Sequence, residues 1–128
     1  MDYSQLGSAE LAYLGDAVLE LLVREHLLKL GKVGAGRLNT LSQEFVKATA
    51  QSAALENVLP MFNEAEEGVF RRARNNSKLS TPKSATAVEY RRATGFEAVF
   101  GYLHLAGDRE RINELFRAAY GITDKTDQ

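Results

Sequence analysis

Leu11-Ala12-Tyr13-Leu14-Gly15-Asp16-Ala17-Val18-Leu19 is an apolar run with a single charge inside it. It lies within a longer helical pattern that spans about residues 8–30, with Ser8 placed to cap it and Gly31 to stop it. Leu11, Leu14, Val18, Leu21, Leu22 and Leu28 share one face at the helical period, while Leu19, Val23 and Leu27 lie towards the other side. A helix apolar on two sides is central to its fold, or faces a core on one side and a partner on the other. The Val23 and Leu27 side, which carries Asp16, is the one expected to meet a second subunit. A carboxylate among such neighbours is costly unless it is paired or binds a metal. The bland alternative is an exposed or ion-paired aspartate on a surface helix. Gly15, next to it, weakens the helix but removes a side chain where something approaches closely.

Working outward, the pattern stays helical. Gly31, Gly34 and Gly36 mark a connection, and further helices are expected over about 37–46, 47–59, 63–74, 85–105 and 109–120. Asn63 with Glu66 forms a capping box for the fourth, and Asp108 is the expected cap of the sixth. Strand signals and internal repeats are missing, so the expected fold class is all-α. One domain over 1–128 is expected, with residues from about 121 as a frayed polar tail.

Composition narrows the class. The chain has 128 residues, 45% of them hydrophobic, enough for one core and too apolar for disorder. Cysteine is absent, which excludes disulfides and thiolate metal sites and fits a reducing cytoplasm. The first residues show no signal peptide, and no apolar run is long enough to cross a membrane. The glycines form no nucleotide-binding fingerprint, so neither ATP nor NAD is expected. His26 and His104 lack a metal-ligand spacing, and Tyr90, Tyr102 and Tyr120 read as core or interface. Net charge is −1, but it is unevenly spread. Residues 71–92 hold Arg71, Arg72, Arg74, Lys78, Lys83, Arg91 and Arg92 against Glu89 alone, a net +6 that leaves −7 on the rest. A basic segment on an acidic body reads as a phosphate-binding surface or, more blandly, as a solvated charged face.

A second buried-looking charge is Glu97, in Gly95-Phe96-Glu97-Ala98-Val99-Phe100-Gly101-Tyr102-Leu103. It reads either as an ion pair with Arg91 or Arg92, or as the partner of Asp16. Two carboxylates on separate helices beside a basic segment suit Mg²⁺, which takes one or two carboxylates together with substrate phosphate. That arrangement serves metal-assisted phosphodiester hydrolysis.

Leu11–Leu19 resembles the signature helix of the ribonuclease III family, and Phe96-Glu97-Ala98 with Gly101-Tyr102-Leu103 resembles its second acidic helix. Arg72-Ala73-Arg74-Asn75-Asn76-Ser77-Lys78 followed by Thr81-Pro82-Lys83 resembles the loop of the Mini-ribonuclease III branch. The motifs come in the family's order and span nearly the whole chain. The resemblance implies a helical endonuclease domain that forms a twofold homodimer and cuts double-stranded RNA with Mg²⁺. It implies that Asp16 and Glu97 are the catalytic, metal-holding residues, and that the products carry 5′-phosphate and 3′-hydroxyl ends. In the Mini branch it further implies maturation of the ends of precursor 23S ribosomal RNA, with a ribosomal protein as a possible helper.

The chain departs from the larger members at two acidic positions, which here are Ala12 and Thr94. Thr94 and, more weakly, Glu20 are candidates for contact with metal-bound water. A separate RNA-binding domain is not expected, so the catalytic domain itself must grip the duplex. Arg72, Arg74, Asn75, Asn76, Ser77, Lys78 and Lys83 are the candidates for that grip, through phosphates and 2′-hydroxyls. The competing readings are an inactive RNA-binding or ribosome-associated scaffold of the same fold, and an unrelated helical dimerisation protein.

Overall fold

The computed structural model describes residues 2–76 and 86–123. Among these residues six helices carry the fold: α1 (Ser8–Lys29), α2 (Ala35–Val46), α3 (Ala48–Glu56), α4 (Glu64–Arg74), α5 (Ala87–Leu105) and α6 (Arg109–Tyr120), with single 3-10 turns at Tyr3–Gln5 and Leu59–Met61. The described residues contain no strand. None of their helices is long and apolar enough to cross a membrane.

The hub is α5. Ala93, Thr94, Gly95, Phe96, Ala98, Val99, Phe100, Gly101 and Leu103 are all buried, which covers every side of the helix. A helix of that composition has to be wrapped by others, and α1, α4 and α3 are its main neighbours. The closest crossing is with α1. A Cβ added to Gly15 would lie 1.6 Å from the Glu97 carbonyl oxygen, and one added to Gly101 would lie 2.0 Å from the Leu11 carbonyl oxygen. The two backbones therefore touch, and each helix needs a glycine at the contact. On the opposite flank Gly95 admits Phe70 of α4, whose Cδ1 would sit 2.6 Å from an added Cβ.

This crossing decides which face of α1 is inside. The buried stripe is Leu11, Ala12, Gly15, Val18, Leu19, Val23 and Leu27, at the i, i+4 spacing that continues from Gly15. Val23 and Leu27 are 0% and 3% exposed, so they belong to the chain's own core and are not available to a partner as the helical wheel suggested. Leu21 and Leu28, expected on the core stripe, are 59% and 61% exposed. The wheel offered two apolar sides, and backbone contact at Gly15 selects between them.

Caps set the other boundaries. Gly7, not Ser8, precedes α1, and no side chain caps it. The Asn63–Glu66 box is present, and Asp108 accepts from Arg111 N at 3.1 Å. A second box, Thr86 with Glu89, opens α5 and moves its start to Ala87 from the expected 85. The helix expected over 47–59 ends at Glu56, and Pro60 lies in a separate turn instead. Glu66 has a further role beyond its box. It is fully buried and takes two bonds from Arg111, at 2.9 and 2.8 Å, which tie α6 to α4. At the C-terminal end Gly121 adopts φ +64°, and Ile122 N–H closes on the Arg117 carbonyl at 2.8 Å. Ile122 packs against the core, while residues 124–128 of the expected tail lie outside the described residues.

Two glycine substitutions test this architecture. Gly101→Ala places a methyl group against backbone that cannot yield, and should cost about 3 kcal/mol or more in chemical denaturation. Gly36→Ala, in the first turn of α2 with nothing within 4 Å, should be neutral or stabilising by up to about 1 kcal/mol. Equal effects would show that the α1–α5 contact is not tight.

Candidate catalytic site

The same crossing brings the two singled-out carboxylates together. Gly15 lets the Glu97 backbone against α1, and Asp16 is the next residue along, at the exposed rim of the contact. Glu97 is partly buried, and its carboxyl group is close enough to Asp16 to share a hydrogen bond. Burial first, and then the Asp16 charge and that shared bond, push the Glu97 pKa up to about 8. The Gln51 side chain of α3 also reaches Glu97 and pulls the opposite way by favouring its anion, the smallest of these effects. Tyr120 of α6 is buried, and burial followed by the nearby Glu97 charge raises its phenol above the ordinary pKa; its hydroxyl donates to the Phe45 carbonyl at 2.8 Å.

The ion-pair alternative for Glu97 does not hold. Arg92 is engaged elsewhere: its guanidinium donates to Ser52 Oγ at 2.9 Å, to the Ser52 carbonyl at 3.1 Å, and to the Glu56 carboxylate. Glu97 therefore faces Asp16 rather than a cation. Asp16 is exposed, as its bland alternative had it, yet its neighbour across the helix contact is a second acid. Such a site attracts positive charge, because two carboxylates at this separation cannot both ionise without a counter-ion.

The remaining candidates are spread more widely. Thr94 is buried, and its hydroxyl donates to the Tyr90 carbonyl at 2.9 Å, so only its lone pairs remain to accept. Glu20 pairs with Arg24 at 3.0 Å, one turn further from Asp16. Among the described residues no third Asp, Glu, His or Cys joins the pair, so Glu20 is not brought to it. Arg72 donates to the Ser4 carbonyl and fixes the N-terminal turn to α4. Arg74 lies over the Phe70 ring at 5.3 Å and donates to Asn75 Oδ1 at 3.1 Å. Asn75 follows the last turn of α4, and Asn76 N–H reaches the Ala73 carbonyl at 3.2 Å. Ser77, Lys78 and Lys83 lie outside the described residues.

Gln51 is a site residue that the sequence reading misses, although the signal that exposes Asp16 is there: one long polar side chain in Ala48-Thr49-Ala50-Gln51-Ser52-Ala53-Ala54-Leu55. A groove of about 650 Å³ runs between α1 and α6, lined by Val18, Leu22, His26, His104, Ile112 and Phe116 among others. It includes neither carboxylate.

The raised Glu97 pKa has a measurable consequence in cation-free protein. The folded state holds a proton that the unfolded chain releases near the ordinary value of 4.5. Its stabilisation is therefore full below that pH and is lost as pH rises towards about 8. In chelator, the thermal midpoint should fall over this window. Asp16→Asn should make the fall shallower by removing the like charge. A midpoint that rises over the window, or an Asn variant with an undiminished slope, would contradict the pairing.

A family model described as the Ribonuclease III domain matches residues 9–108, which include both carboxylates. The chain is 49% identical over 115 residues to Mini-ribonuclease 3 of Symbiobacterium thermophilum, covering 90% of this chain and 88% of that one. It is 40% identical over 116 residues to Mini-ribonuclease 3 of Enterococcus faecalis, covering 89% and 88%. A crystal structure of a Fusobacterium nucleatum protein superposes with a TM-score of 0.81 at 30% identity, covering 91% of this chain and 93% of that one. With the two acidic helices in contact and relatives that match nearly end to end, the chain belongs to the ribonuclease III family of endoribonucleases, in its Mini-ribonuclease 3 branch.

Proposed function

We propose that the chain hydrolyses double-stranded RNA with Mg²⁺, using Asp16 and Glu97 as the residues that hold the cation. The observation that carries this reading is the pair itself: two carboxyl groups in hydrogen-bonding contact, with no cationic side chain among the groups that perturb Glu97. The donor set fits. Both ligands are hard oxygens, and Mg²⁺ commonly takes only one or two carboxylates and fills its remaining positions with water and phosphate. When bound, Mg²⁺ would supply Lewis-acid activation of water and charge neutralisation at the phosphodiester.

The chain's own groups prepare that chemistry. Glu97 ligates only as the anion, so cation binding must release its proton at neutral pH. Asp16, at the exposed rim, is the ligand nearest to solvent and to an arriving phosphate. Water attacks phosphorus and the ribose 3′-oxygen leaves, giving 5′-phosphate and 3′-hydroxyl ends. RNA is gripped by the end of α4 and the segment after it, through Arg72, Arg74, Asn75 and Asn76, continuing into Ser77, Lys78 and Lys83. Contacts of this kind read the A-form backbone rather than the bases. Precursor 23S ribosomal RNA is the proposed substrate and the cytoplasm the proposed compartment; a ribosomal protein that shapes the substrate is compatible with this reading.

A homodimer completes the proposal, because one such site per subunit cuts one strand each. The surface available for it differs from the one the helical wheel suggested. On α1, Tyr13 is 84% exposed, and Leu21 and Leu28 are the other large apolar side chains in solvent. Tyr13 precedes Asp16 by three residues, so it shares the exposed side of the crossing.

Asp16→Asn and Glu97→Gln preserve volume and remove charge. Each should lower single-turnover cleavage of a duplex by about a hundredfold or more at saturating Mg²⁺. Duplex binding in Ca²⁺ should remain close to the parent's. Parental cleavage by Asp16→Asn would refute the site assignment, and absence of cleavage by the parent would favour the scaffold reading that Ala12 and Thr94 keep open. Light scattering at micromolar concentration should give twice the 14.1 kDa chain mass. A monomer that still cuts both strands would refute the dimer.

A further inference from the structure

We propose that Gln51 is a positioning residue for Glu97: its buried carboxamide waits for the glutamate anion and holds one carboxylate oxygen while the other faces the cation. The inference rests on the reading of Asp16 and Glu97 as the cation site.

Three observations lead to it. First, Gln51 is 1% exposed, inside α3, a helix that packs directly on α5. Second, its Nε2 is the one buried side-chain nitrogen or oxygen among the described residues that has no hydrogen-bond partner. The other buried polar side chains near the helix contacts are used: Ser52 accepts from Arg92, Thr94 donates to Tyr90, and Glu66 is held by Arg111. Third, the group it adjoins is the Glu97 carboxyl, near enough for the amide to favour the glutamate anion although no hydrogen bond between them is completed.

An orphaned buried donor is costly, and proteins rarely keep one without a use. A leucine or methionine would fill the same space without that cost. The arrangement makes sense if the hydrogen bond is completed only in the working state. A Glu97 carboxylate that holds a cation through one oxygen leaves the other in need of a donor. Gln51 Nε2 is the buried donor beside it. Ligating carboxylates are generally held in this way by a hydrogen bond from behind, and losing such a partner weakens metal binding by about 10–100-fold. Gln51 touches neither water nor phosphate in this scheme; it acts through Glu97.

The prediction separates this role from a packing role because the two move stability in opposite directions. Gln51→Leu and Gln51→Met should leave the cation-free thermal midpoint unchanged or higher, since each removes an unsatisfied donor. Both should weaken binding of Mn²⁺ alone, counted by electron paramagnetic resonance of the free ion without RNA, by about tenfold or more. Mn²⁺ affinity unchanged in both variants would overturn the proposal. A lower midpoint in both would also overturn it, because the amide would then be serving the fold. Asp16→Asn is measured in parallel. If Asp16→Asn binds Mn²⁺ like the parent, the cation-site reading itself fails, and the role of Gln51 with it. If Asp16→Asn loses binding and the Gln51 variants do not, only the role of Gln51 is refuted.

Discussion

The backbone contact between Gly15 and Gly101 is the constraint on which the rest of this structure depends. Added Cβ atoms at these positions would fall 1.6 and 2.0 Å from carbonyl oxygens of the facing helix, well inside any tolerable contact. Neither helix can turn without losing that fit. The rotation of α1 is therefore set, and with it the stripe that runs through Leu19, Val23 and Leu27 into the core. The hub helix is held on its other flank by Phe70 seated at Gly95. Once α5 is fixed between α1 and α4, α3 and α6 close around what remains, tied by Arg92 to Ser52 and by Arg111 to Glu66.

The crossing also creates the carboxylate pair. Asp16 follows one contact glycine, and Glu97 supplies the carbonyl that the same glycine admits. Two acids that would repel each other in an open chain are thus pressed together by packing elsewhere. Stability gained in the core offsets an unfavourable charge arrangement at its edge, a common relation between scaffold and site. The strain is electrostatic, and a cation held as proposed would relieve it. This would account for the otherwise awkward features around the pair: a glutamate that holds its proton near neutrality and a buried glutamine amide beside it whose hydrogen bond is not completed.

Much of this is legible in the amino-acid sequence, for identifiable reasons. A charge within an apolar helical run is rare, so Asp16 and Glu97 stand out by their neighbours alone. Helix boundaries follow from caps, as at Asn63 and Asp108. The choice between two apolar sides of α1 is not legible in the same way, because periodicity reports that a side is apolar and not what covers it. Gly15 is the clue. Treating it as the point of closest approach, rather than as a weakness beside Asp16, selects Leu19, Val23 and Leu27 as core. Gln51 is easily passed over because its amide carries no charge, although it sits among alanines as conspicuously as Asp16 sits among leucines.

The most direct test of the account is the ionisation state of Glu97 itself. In cation-free protein at neutral pH, carbon-13 NMR of the side-chain carboxyls should show Glu97 protonated. Titration with Mg²⁺ should convert it to the anion, with release of a proton to solvent and a matching perturbation of the Asp16 carboxyl. A Glu97 that is already ionised without a cation, and that Mg²⁺ does not move, would contradict the claim that helix packing forces these two acids together to hold one.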